Sequence, residues 1–132
     1  MKKYLYISFC LAYILILAAL AACGNKAAPI VLPQTDSIKS VDVTVGENTV
    51  NYADETWISE IISNISSSEP TRKESVQDVP QVENYIKIDI QLTAKVSTLF
   101  AYEDGGKYYI EQPYQGIYEI NKQLYEQLQE TK

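Results

Sequence analysis

The chain has 132 residues, room for one ordinary domain and too few for two. With 46% hydrophobic and 21% charged residues it is neither disordered nor collagen-like. Histidine is absent and the only cysteines are Cys10 and Cys23, which excludes histidine acid–base chemistry, Cys–His catalysis and the usual zinc sites, while a net charge of −6 argues against a nucleic-acid partner.

Lys2 and Lys3 form a short basic start, residues 4 to 25 carry no charge, and Ile7 to Leu20 is almost continuously apolar. A basic start before a short apolar core is the layout of a secretory signal peptide. The core runs into Leu20-Ala21-Ala22-Cys23-Gly24, which closely resembles the bacterial lipobox. Small side chains at Ala21 and Ala22 let an extended backbone enter a peptidase cleft. Cleavage falls between Ala22 and Cys23, and the Cys23 thiol accepts diacylglycerol. The alternative is a permanent membrane helix, since an uncharged run from 4 to 25 is just long enough to span a bilayer and the two lysines keep that end cytoplasmic. Both readings put residues 24–132 outside the cytoplasmic membrane. The expected organisation is a lipoprotein signal peptide over 1–22, a lipidated cysteine and tether over 23–34, and one extracytoplasmic domain over 35–132.

Removal of 1–22 lowers the basic count from 11 to 9 against 17 acidic side chains, a net of −8. Such a domain is repelled by an anionic membrane as a whole, so the lipid must hold it there, and a diacylglyceryl group supplies the two chains that stable anchoring needs. With Cys10 removed and Cys23 a thioether, the domain has no disulfide, and packing alone stabilises it.

Gly24 to Gln34, with Pro29 and Pro33, reads as a spacer beside the anchor. The apolar triplet Ile30, Val31 and Leu32 leaves open an extended arm lying on the domain. From Ser40, Val41, Val43 and Val45 alternate with polar residues, the period of a half-buried strand. Gly46-Glu47-Asn48 turns the chain back through Thr49 to Tyr52. Asp54 caps a helix whose Ile58, Ile61, Ile62 and Ile65 form one apolar stripe, with Trp57 at its edge and Ser66 to Pro70 as its stop. Glu69 to Glu83 is a long polar connection, a kind of segment that is usually functional or mobile.

Ile86, Ile88, Ile90 and Leu92 alternate with Lys87, Asp89 and Gln91 in the clearest strand of the chain. Turns at Thr93-Ala94-Lys95, Asp104-Gly105-Gly106 and Pro113-Tyr114-Gln115-Gly116 separate three further strands. Asn121 caps a closing helix with Leu124 and Leu128 on one face. The order β-β-α-β-β-β-β-α with tight turns predicts an α+β fold. Its sheet is antiparallel, with helices packed on one face and the other face partly exposed.

No catalytic residues emerge. Asp104-Gly105-Gly106 lacks the further carboxylates of a calcium loop and the residues of a phosphate loop, and reads as a hairpin turn needing positive φ. Ser-x-x-Lys and Gly-x-Ser-x-Gly are absent. No metal site or cofactor is expected, and the chain is expected not to be an enzyme. Tyrosine is concentrated between Tyr102 and Tyr125. Tyr108 and Tyr109 point to opposite faces of a strand, so one can be core and the other exposed. Tyr109 and Tyr114 are the candidates for a binding surface, since exposed tyrosines grip partners at low entropy cost. Arg72 and Lys73 are adjacent cations in an acidic domain, and they add a candidate dock for a carboxylate or phosphate.

Thr71-Arg72-Lys73-Glu74-Ser75-Val76 with Asp78-Val79-Pro80, then Asn84-Tyr85-Ile86, and the stretch Tyr108 to Tyr118 together resemble small Gram-positive (Firmicute) lipoproteins and extracellular modules of domain of unknown function family 5301. The likeness covers about residues 30 to 130. It implies no catalytic residues. Similar modules on sensor-type membrane peptidases imply a binding or sensing role. The leading expectation is a non-catalytic, monomeric binding or regulatory module on the outer face of the cell membrane, with a membrane or wall protein as partner. Capture of a sugar, peptide or wall fragment by a tyrosine-rich surface is one alternative, and an immunity-type lipoprotein is another.

Overall fold

The computed structural model describes residues 25–130; the expected signal peptide over 1–22 and the cleavage and lipidation site at Ala22 and Cys23 lie outside them. The elements are β1 (Ser40–Val45), β2 (Asn48–Tyr52), α1 (Glu55–Ser66), β3 (Glu69–Pro70), β4 (Ile86–Gln91), β5 (Val96–Asp104), β6 (Lys107–Gln112), β7 (Gly116–Ile120) and α2 (Lys122–Gln129), preceded by a 3₁₀ turn at Thr35–Ser37. The fold is α+β. All strand pairs are antiparallel in one seven-stranded sheet of order β2-β1-β4-β5-β6-β7-β3. No helix among the described residues is long and apolar enough to cross a membrane.

Local chemistry sets the turns and caps. Val45 pairs with Asn48 around Gly46 at φ 61°, and Asp104 pairs with Lys107 around Gly105 and Gly106 at φ 60° and 78°. Only glycine adopts such angles without a Cβ penalty, and these turns match the twist of the strands they join. Asp54 Oδ1 accepts from the Trp57 amide at 2.8 Å, and Asn121 Oδ1 from the Leu124 amide at 2.8 Å, so each helix starts at a side-chain cap.

One face of the sheet carries the main core. Val41, Val43, Ile86, Ile88, Ile90 and Leu99 point to it and are almost fully buried. Ile58, Ile61, Ile62 and Ile65 of α1 and Leu124 and Leu128 of α2 close over them. Each aliphatic side chain buried this way contributes roughly 1.5–3 kcal/mol. Trp57 stacks flat on Tyr52, ring centroids 3.8 Å apart, and shields the β2 edge of that core.

The opposite face is divided. Over β2, β1 and β4 it is polar and tied across strands: Asp42 accepts from Asn51 Nδ2 and Gln91 Nε2, and Asp89 accepts from Thr98 Oγ1. Over β5, β6 and β7 it is covered. Leu99 to Tyr102, Tyr109 to Glu111 and Gly116 to Tyr118 are consecutive buried residues, which alternation alone does not produce. The cover is the long connection between β3 and β4, which packs Val82 on Tyr102, Tyr109 and Ile117.

Two features differ from the sequence reading. The two-residue β3 adds a strand that pairs Glu69 with Glu119 and Pro70 with Tyr118. It is too short to show alternation, and Pro70 suits an edge because it has no N–H to donate. The stretch expected to be a spacer is, from Ala27 to Leu32, laid along the domain. The Ala27 amide donates to Thr71 O at 2.9 Å, Tyr118 Oη donates to Ala28 O at 2.6 Å, and the Gln112 side chain bonds both the N–H and the C=O of Val31. Ile30 and Leu32 pack against the main core. Burying them gains more than a solvated spacer would, which is why the arm lies down.

Gly116 is where arm and sheet meet. A Cβ there would lie 2.5 Å from Ala27 Cβ and 3.1 Å from the Tyr118 hydroxyl. Gly116→Ala is therefore expected to cost about 1–3 kcal/mol in chemical denaturation. It should also speed exchange of the Ala27 amide while leaving the amides of β1 and β4 protected.

Candidate functional site

Thr71 leaves β3 with its amide and its Oγ1 both donating to Ile117 O, at 3.0 and 2.7 Å. The chain then crosses the second face of the sheet. Ser75, 7% exposed, donates from Oγ to Glu111 Oε1 at 2.7 Å, and Tyr102 Oη donates to Glu111 Oε2 at 3.2 Å. A buried carboxylate is costly unless its lone pairs are met, and this pair of hydroxyls meets them. Burial, and next the charge of Glu111, hold the Tyr102 phenol well above its ordinary value.

The four candidate surface residues separate here. Tyr109 is 6% exposed, wedged beside Tyr102 and capped by Lys73 Nζ, 4.3 Å from its ring centroid. It is a core residue, and the expectation that it sits on the surface is corrected: the connection covers the face it points to. Tyr118 and Tyr102 also turn inward, so the tyrosine-rich stretch does not form a tyrosine-rich surface. Lys73 reaches past Tyr109 to Asp104 Oδ2 at 3.7 Å.

Tyr114 does the opposite. It is 66% exposed and has a φ of 61°, and no other described non-glycine residue has positive φ. The Gln115 amide donates to Gln112 O at 3.0 Å, so Pro113 and Tyr114 are the central residues of a type II turn. The second central position ordinarily takes glycine, and a side chain there costs about 1–2 kcal/mol. The Tyr114 hydroxyl donates to Asp78 Oδ1 at 2.8 Å, which fixes the ring beside the connection and raises its phenol above the ordinary value.

Arg72, Lys73 and Tyr114 line one cavity of about 390 Å³ together with Lys26, Glu74 and Gly116. Its lining holds three cations and one carboxylate in a chain of net −6; with Lys73 paired to Asp104, Lys26 and Arg72 stand against Glu74, a local +1. Neither Lys26 nor Arg72 forms an ion pair among the described residues. This arrangement suits an anion, with an aromatic ring at the rim to hold its organic part. A wider depression of about 610 Å³ between Tyr85 and Tyr125 gathers Lys87, which Asp89 already pairs at 3.0 Å. Sequence reasoning misses Lys26 because it falls in the stretch that reads as a spacer. The apolar triplet after it was the available signal that this segment docks. It also missed the Ser75–Glu111–Tyr102 cluster, whose members are up to 36 residues apart.

Two outcomes follow. The folded chain holds the Tyr102 proton more tightly than the unfolded chain, whose tyrosines ionise near 10. Stability is therefore insensitive to this group below about pH 10 and falls as pH rises above it. In a phenolate absorbance titration, Tyr102 should ionise only together with unfolding. Tyr102→Phe should be less stable at neutral pH by about 1–3 kcal/mol, because Glu111 loses a donor, yet show a shallower alkaline loss. Tyr114→Gly removes the left-handed penalty and adds unfolded-state entropy. Its denaturation midpoint should equal or exceed the wild type, a gain of up to about 1 kcal/mol. A clear destabilisation would show that the Asp78 bond, and not presentation of the ring, explains the tyrosine.

Comparison with known proteins places the chain further. Residues 26–119 match the family model DUF5301, described as a domain of unknown function (DUF5300). The matched region begins at Lys26 and so takes in the docked arm. Among solved structures, the NMR structure of a protein from Ruminococcus gnavus is 36% identical, with a TM-score of 0.64; the likeness covers 74% of this chain and 99% of that one. A search of curated proteins found no match.

Proposed function

The chain belongs to the domain of unknown function family DUF5301, and we propose that it works as a lipid-anchored extracytoplasmic module that binds an anionic partner without transforming it. The observation that carries this reading is the cavity at the end of the arm. Lys26, Arg72 and Lys73 line it with an exposed tyrosine held in a conformation that costs free energy. A non-glycine residue kept at positive φ on a protein surface is a common mark of a binding feature. The serine–carboxylate pair beside the cavity, Ser75 and Glu111, is buried and shared with Tyr102. Its hydroxyl serves the structure, which supports a binding role over a nucleophilic one.

The anchor half of the proposal rests on Leu20-Ala21-Ala22-Cys23 after an uncharged apolar run. The Gram-positive lipoprotein character of the chain is proposed on the same residues.

Two measurements test the two halves. Mass spectrometry of the protein from membranes is expected to give an N-terminal peptide that starts at Cys23 and carries diacylglyceryl. Cys23→Ser is expected to accumulate as uncut precursor. An unlipidated Lys2-Lys3 terminus in the wild type would mean a membrane helix instead. For binding, inorganic phosphate titrated into residues 23–132 should shift the amides of Lys26, Arg72 and Lys73, and the shifts should vanish in Arg72→Gln/Lys73→Gln. An unchanged spectrum would overturn the anion reading.

A further inference from the structure

From the cavity's place next to the anchor, we infer that its partner is the anionic phospholipid bilayer itself. The corner of the domain formed by Lys26, Arg72, Lys73 and Tyr114 docks on the headgroups, and a lipid phosphate enters the cavity. This names the partner of the site proposed above and rests on its anchor.

Chain length makes the first argument. Gly24, Asn25 and Lys26 are all that separate Cys23 from Ala27, whose amide is already bonded to Thr71. Four backbone steps span at most about 14 Å. The headgroup layer of one leaflet is about 5–7 Å thick. With Cys23 anchored at its inner boundary, Ala27 lies at most about 9 Å outside the headgroups, near the Debye length of about 8 Å at physiological salt. The domain therefore has no spacer on which to stand away from the surface, and the corner at Ala27 is the part brought to it.

Charge complementarity makes the second. Three of the nine cations that follow Cys23 line this one cavity, with Glu74 as the opposing carboxylate. Asp104 is paired with Lys73, and Asp78 keeps its charge under the Tyr114 hydroxyl, so Lys26 and Arg72 are the two cations of this corner left to face the lipid. The start of α1, with Asp54 and Glu55, follows directly on β2, at the opposite edge of the sheet from β3. A corner that turns toward anionic lipid thus keeps those acids at the far edge. Each cation near such a surface contributes roughly fivefold to the docked fraction.

Exposed apolar groups make the third. Val31, Val76, Val79 and Tyr114 are four of the six large hydrophobic side chains exposed among the described residues. Val76 lines the cavity, Val79 follows the Asp78 that holds Tyr114, and Val31 is bonded to Gln112 at the foot of the Tyr114 turn. Apolar side chains around a tyrosine with cations beside it are the composition of an interfacial contact.

The test uses residues 23–132, with the Cys23 thiol coupled to a maleimide lipid in nanodiscs. The relative from Ruminococcus gnavus, whose chain is 99% covered by the likeness, has about the extent of this domain. A gadolinium-chelating headgroup lipid reports which amides approach the bilayer. In discs of phosphatidylcholine with about one third phosphatidylglycerol, signals near residues 26, 31, 72–79 and 113–116 should be selectively attenuated. The pattern should disappear in pure phosphatidylcholine, at about 1 M salt, and in Lys26→Glu/Arg72→Glu/Lys73→Glu, which should lower the docked fraction by at least about a hundredfold. Uniform attenuation, attenuation centred on β1 and β2, or an equal effect in pure phosphatidylcholine would overturn the proposal and leave the cavity to a soluble anion or a protein. Because coupling supplies the anchor chemically, this result is independent of whether cells lipidate Cys23.

Discussion

Thr71 joins three parts of the chain that are remote in sequence. Its amide and hydroxyl donate to Ile117 in β7, and its carbonyl accepts from Ala27 in the arm. Its Oγ1 also accepts from the Lys73 amide at 3.2 Å, which sets the first step of the connection across the second face. Without this junction the edge strand β3 would be an isolated two-residue pair, too short to hold itself. With it, the arm passes onto the helix-bearing face, the connection passes onto the other, and the strands between them are buried on both sides. The arm therefore behaves as part of the domain, and the cavity at its start is fixed by the same bonds.

That two-sided burial explains what was legible in the sequence. Strands with one wet face announce themselves, as Val41, Val43 and Val45 do, and as Ile86, Ile88 and Ile90 do more strongly. Both helix caps and the Gly105-Gly106 turn also follow from local chemistry. Tyr109 is the instructive miss. Adjacent Tyr108 and Tyr109 do face opposite ways, since Tyr108 meets Tyr125 of α2 while Tyr109 meets Tyr102. The expectation that one of the two is exposed assumes that the second face is wet. What covers it are Ser75 and Val82, from a segment that reads as polar and irregular. Periodicity reports a strand's own pattern and says nothing of a distant loop that folds over it.

Glu111 carries the same lesson in electrostatic form. Within Tyr108 to Gln112 it reads as a solvent-facing acid, yet it is 5% exposed. Two hydroxyls from different elements make that burial tolerable, and a half-met carboxylate would be worse than an apolar side chain. The cluster is better understood as the device that fixes the connection to one position on the sheet, since few other placements bring Ser75 and Tyr102 to the same carboxylate. Lys73, held between the Tyr109 ring and Asp104, adds a second fixed point along the same segment.

Net charge is a poor guide to how such a domain meets a surface. Taken as one number, −8 after loss of the first 22 residues implies repulsion from anionic lipid. Screening over about 8 Å makes the near corner count for more than the far edge, because the domain is several Debye lengths across. Of the cations, Lys87, Lys107 and Lys122 are paired with carboxylates on their own or neighbouring elements. Among the described residues Lys26, Lys39, Arg72 and Lys95 form no ion pair, and Lys26 and Arg72 line the cavity at the point where the chain leaves toward Cys23. In the anchored form we propose, a uniform distribution of the same charges would leave the anchor working against the rest of the domain. Placing two of the four unpaired cations of the described residues where the chain leaves toward Cys23 eases that conflict in the anchored form we propose.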